Sequence, residues 1–77
     1  MDRAMLLDHL AKVERHIAEG ERHIFCQREI VDELERHGHG GSQTTKFARE
    51  ILASFETAQA ACHDDRMHLL MALWEVT

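Results

Sequence analysis

"LLDHLAKVERHIAEGERHIFCQREIVDELER", residues 6–36, decides the fold. Leu6, Leu10, Val13, Ile17, Ile24, Val31 and Leu34 follow alternating steps of four and three, with Gly20 and Gln27 in the two slots that lack an apolar side chain. On a helix of about 3.6 residues per turn, that spacing gathers them into one stripe. Asp8, Arg15, Arg22, Glu29 and Arg36 recur on the opposite side, all charged. The stretch therefore reads as a one-sided helix with heptad spacing, from about residue 2 to 37. Asp2 is placed to cap its start and Gly38 to end it at the C′ position. Asp8 with Lys12 and Asp32 with Arg36 supply favourable pairs four residues apart.

Working outward, "GHGGSQT" (38–44) is the one clear turn signal. Ser42 or Thr44 can cap a second helix over about 44–76, leaving a turn at 38–43. Ala48, Ile51, Leu52, Phe55, Ala58, Cys62, Leu69, Ala72, Leu73 and Val76 give it a broader apolar face, widened near its end by Met67, Leu70, Met71 and Trp74. Two long helices with a short connection lie antiparallel as an αα-hairpin, a single all-α domain spanning 1–77. Its seam is expected to run through Leu10, Val13, Ile17, Ile24 and Val31 on one helix and Ile51, Phe55, Cys62, Leu69 and Leu73 on the other. A lone hairpin cannot cover the second face, and a chain this small lacks a staple. The sequence thus predicts a homodimer closing into a four-helix bundle, with another helical protein as the alternative partner.

Composition narrows the function. The 77 residues hold 9 basic and 14 acidic side chains, a formal charge of −5 with neutral histidines, which argues against binding nucleic acid through its phosphates. Seven protonated histidines would take −5 to +2, so mild acid can reverse the sign. "MDRAMLLDHLAKVERH" places Asp2 and Asp8 where a signal peptide needs a basic start and an unbroken apolar core. "LLMALW" is too short to cross a bilayer, so no membrane partner is expected. Cys26 and Cys62, without metal-like spacing, read as reduced thiols of a cytoplasmic protein.

The same stretch carries a ladder. Glu-Arg-His-Ile fills 14–17 and 21–24, and His9, His16, His23 and His37 share one seven-residue register, with Ile30 in the remaining place. Seven residues rise roughly 10.5 Å along a helix, whereas zinc donors sit about 2 Å from the ion. Successive rungs cannot share a metal. Their place beside the seam suits rings that pack at a bundle border while keeping one nitrogen near water or a carboxylate. If the hairpin folds about residue 40 or 41, residues whose numbers add to about 81 lie level. His16 then meets Asp65, and Gly20 meets Ala61 or Cys62. The main expectation is a polar layer in which His16 or Arg66 faces Asp65. The sharper one is a metal site of His16, Asp65 and His68, since Asp65 and His68 resemble half of an acid–x–x–His element of di-metal bundles. Glu19 and His23 are further donors once two copies meet. One such short match does not make a site, and no cofactor is expected. Cys62 and His63 are neighbours whose side chains diverge on a helix, which disfavours a catalytic dyad. "GHGG" lacks the lysine and the strand context of a phosphate loop.

Gly20-Glu21-Arg22-His23-Ile24, Gln27-Arg28, Gly38-His39 and Phe55-Glu56 with Gln59 give the chain a further likeness. It resembles short, uncharacterised helical-hairpin proteins of soil and root-associated proteobacteria, over most of its length. That resemblance implies a helical hairpin and brings no activity, cofactor or partner. Two readings of function follow: a non-enzymatic oligomerisation or protein-interaction module, or a histidine-based protein responding to protons or a metal.

Overall fold

The computed structural model describes residues 2–38 and 41–76. They form two α-helices of 34 residues each, α1 (Arg3–Arg36) and α2 (Gln43–Val76). Ile17 meets Gln59, and Gln27 meets Ala48, so the helices run antiparallel. Each helix of 34 residues is about 51 Å long at ~1.5 Å per residue, and the molecule measures 55 × 14 × 13 Å. Its radius of gyration is 17.1 Å, whereas a compact domain of this length has about 11.5 Å. It is a rod of two helices.

The ends of the helices are set by local chemistry. The Met5 amide donates to the Asp2 carboxylate at 2.8 Å, satisfying one donor that the first turn leaves over. At the other end of α1 the His37 amide donates to the Glu33 carbonyl. Gly38 then turns at φ +78°, a left-handed conformation that a side chain resists. Ser42, rather than Thr44, caps α2. The Thr45 amide donates to the Ser42 hydroxyl at 3.1 Å, and the two hydroxyls lie 3.0 Å apart. His39 and Gly40, in the middle of the expected Gly-rich turn, lie outside the described residues.

Packing follows the heptad stripe. Leu6, Ile17, Val31 and Ala48 are the buried hydrophobic side chains among the described residues. Leu10, Val13, Ile24, Ile51, Phe55, Cys62, Leu69 and Leu73 are half-buried between the helices. Every seam position expected from the sequence is at least partly covered, and Asp8, Arg15, Arg22, Glu29 and Arg36 all face water.

The two apparent gaps in the stripe hold polar locks. Gln27 is buried and donates its carboxamide N–H to the Ala48 carbonyl at 2.9 Å. From the opposite helix, buried Gln59 donates to the Ile17 carbonyl at 2.8 Å. Gln59 reaches it by lying across Gly20, where a Cβ would overlap its Oε1 and sit 2.9 Å from its Cδ. Gly20 therefore meets Gln59, two or three residues short of the expected Ala61 or Cys62. A carboxamide can be buried here because each is paired with a backbone oxygen. No buried side-chain nitrogen or oxygen among the described residues lacks a partner.

Two other expectations are corrected. Arg36 pairs with Glu33 at 2.9 Å, one turn-position nearer than Asp32, although Lys12 does pair with Asp8 at 3.0 Å. Met67, Met71 and Trp74 are all exposed, Trp74 by 82%, on an apolar face too broad for one partner helix to cover, while Leu70 is half-buried. Arg66 reaches Glu14 at 3.7 Å and makes no ion pair with Asp65.

Candidate functional site

The hairpin has two long edges of different chemistry. Residues immediately C-terminal to each pair of seam residues on α1 (Glu14, Glu21, Arg28, Glu35) border one edge, facing Arg49, Glu56 and His63 of α2. Ion pairs cross the helices here: Arg28 to Glu56 at 3.1 Å, Arg49 to Glu35 at 3.0 Å, and Arg66 to Glu14. These pairs are largely solvent-exposed, so each contributes well under 1 kcal/mol or about that. Their effect is to fix register, since the heptad stripe alone tolerates sliding by whole turns. Between them a shallow depression of about 270 Å³ is walled by Glu14, Glu21, His63 and Arg66 over Ile17 and Ala18.

The opposite edge carries the ladder. His9 and His16 open onto a groove of about 400 Å³, floored by Val13 and Leu69 and closed on the far side by Asp65 and His68, with Lys12 at its rim. His16 also borders a second groove, of about 180 Å³, which continues past Glu19, Gly20 and His23 to Phe55, Ala58, Gln59 and Cys62. The two grooves adjoin at His16 on the histidine edge. The His23 ring packs on Phe55 with centroids 5.7 Å apart and planes tilted by 36°. That contact places an imidazole on the border of an apolar seam, as the ladder register predicts.

The three candidate metal residues, His16, Asp65 and His68, do come together around one groove. Among the described residues, however, no three His, Cys, Asp or Glu side chains are grouped closely enough to hold an ion. Nor does a hydrogen bond or ion pair join His16 to Asp65 among those residues. The polar layer expected there is an open groove instead, with both side chains exposed to water. Cys62 lines a groove of the histidine edge and His63 the other edge, so the adjacent pair diverges. Cys26 and Cys62 are both free thiols.

Chemically this edge offers imidazoles, the carboxylates of Asp65 and Glu19 and apolar side chains, with no hydrogen-bonded pair of nucleophile and base among the described residues. The packing residues that the apolar pattern passed over are Gln27 and Gln59. The signal for them was Gly20, a glycine in the middle of a helix at a seam position, where a close approach is the usual reason. The chain is thus an antiparallel two-helix hairpin with one ion-paired edge and one histidine-lined edge. Comparison with protein-family models, with curated proteins and with solved structures returns no match. No helix among the described residues is long and apolar enough to cross a membrane.

Proposed function

We propose that this chain is a non-enzymatic oligomerisation module of the cytoplasm, whose hairpins pair as a homodimer to make a four-helix bundle. One observation carries the reading, the surface left in water. A compact folded monomer of 8.9 kDa exposes about 4,800 Å². The hairpin exposes 5748 Å², an excess of about 900 Å², close to the roughly 800 Å² that each partner buries in a standard interface. Large apolar side chains are part of the exposed surface, for Met5, Phe25, Ile30, Phe47, Met67, Met71 and Trp74 are each at least half exposed. The free thiols agree with a reducing compartment. Another helical protein is the alternative partner, and neither nucleic acid nor a lipid surface suits the charge of −5. The test is the dependence of thermal unfolding on chain concentration. For two chains unfolding together, Tm should rise by about 5 °C for each tenfold increase in concentration. A Tm that stays constant over three decades would remove the reading.

A second reading is favoured by the meeting of His9, His16, His68 and Asp65 on one trough. In it the protein responds to protons or to a transition metal bound between two copies. Calorimetric titration with zinc tests it: one ion per dimer, lost in His68→Ala, would support it, and no heat above dilution would end it.

A further inference from the structure

We propose that the second copy docks on the histidine edge, in an isologous interface centred on the trough between His16 and Ala58. The inference rests on the homodimer reading and adds which surface makes the contact. A face of 55 × 14 Å offers close to the roughly 800 Å² per partner that a stable dimer needs. One edge of the rod is therefore enough, and two edges compete.

Three observations select between them. First, the charges of the Glu14–Arg28 edge are already committed: Arg28, Arg49 and Arg66 each pair with a carboxylate of the other helix. A partner docking there must break those pairs or bury them, at a desolvation cost that their weak attraction does not offset. Among the described residues no ion pair crosses between the helices on the histidine edge. Second, the positions that flank the seam on this edge are His9, His16, His23 and Ile30 on α1 and Ala58, Asp65 and Ala72 on α2, next to the seam residue Ile51. The matching positions of the other edge are mostly charged, and a bundle helix needs a third apolar position per heptad on the side that meets its neighbour. Third, the histidine edge is complementary to itself. It carries imidazole donors beside Asp65 and Glu19, and a two-fold axis brings every donor of one copy to the same surface of the other.

The competing surface is the outer flank of the ion-paired edge, where Ala18 and Ala60 lie near exposed Phe25 and Met67. Sedimentation velocity of the full chain and of Ala58→Glu, Ala18→Glu and Ala60→Glu separates the two. All three alanines are exposed in the hairpin, so each glutamate is tolerated by the two-helix fold itself. The expected result is a dimer dissociation constant raised at least 100-fold by Ala58→Glu and changed less than threefold by the other two. A footprint of the unaltered chain guards against a variant that does not fold. Diethyl pyrocarbonate should modify His16 and His23 at least fivefold more slowly above the dissociation constant than below it. His63, on the other edge, should react equally at both concentrations. A dimer that Ala18→Glu or Ala60→Glu dissociates, with His63 protected, would overturn the choice of edge and leave the homodimer standing. An unaltered chain that stays monomeric at every concentration would overturn both.

Discussion

Gly20→Ala tests the lock between the helices, because two effects of known size oppose each other there. Alanine is favoured over glycine inside a helix by about 0.8–1.0 kcal/mol, so an unobstructed site would gain that much. Here the new Cβ would overlap Gln59 Oε1 and approach its Cδ at 2.9 Å. The carboxamide must swing away, which breaks its bond to the Ile17 carbonyl and leaves a buried polar group unpaired at a cost of about 1–3 kcal/mol. The larger effect wins, and Gly20→Ala should destabilise each hairpin by about 1 kcal/mol. In a Gln59→Ala background the obstruction is gone. There the same substitution should stabilise by the full helix preference, about 0.8–1.0 kcal/mol. The sign therefore reverses, with a coupling of about 2 kcal/mol between the two sites. Urea unfolding followed by circular dichroism, with all four proteins at one chain concentration, measures the cycle. Stabilisation by Gly20→Ala in both backgrounds would refute the lock.

Other substitutions probe the rest of the hairpin. Ile17→Asp places an unpaired charge in the seam and should abolish the cooperative melt, whereas Arg15→Ala should change stability by no more than about 0.5 kcal/mol; equal losses would mean that the register is wrong. Ser42→Ala removes the cap of α2 and should cost about 0.5–2 kcal/mol in the same unfolding assay. Arg28→Ala cuts an exposed ion pair with Glu56 and should cost under about 1 kcal/mol, shrinking further in 1 M salt; a loss that salt leaves unchanged would point to packing of the arginine stem instead.

Hydrophobic spacing made the seam legible because burial follows the stripe directly: Leu6, Ile17 and Val31 are among the least exposed residues. Caps were legible for the same local reason, since Asp2 and Gly38 act through their own backbone and that of the next turn. What escaped depends on the other helix. Gln27 and Gln59 look like interruptions to any pattern that scores polarity, and only a facing carbonyl turns a carboxamide into a seam residue. Arg66 occupies a seam position in α2, yet its long side chain reaches out to Glu14, a choice that depends on which carboxylate the packing brings near. In the candidate site, spacing put His16 level with Asp65 and Val13 level with His68, and all four line one groove, yet no three metal-donor side chains among the described residues group there, because shared level on two helices does not set how their side chains turn.

The mass of the folded chain in solution tests the central claim most directly. Sedimentation equilibrium across the micromolar range, with helicity followed on the same samples, should give a helical species of about 17.8 kDa, twice the 8.9 kDa chain. A fully helical, cooperatively melting species of 8.9 kDa at those concentrations would contradict it, because the hairpin would then be stable with its exposed apolar faces in water.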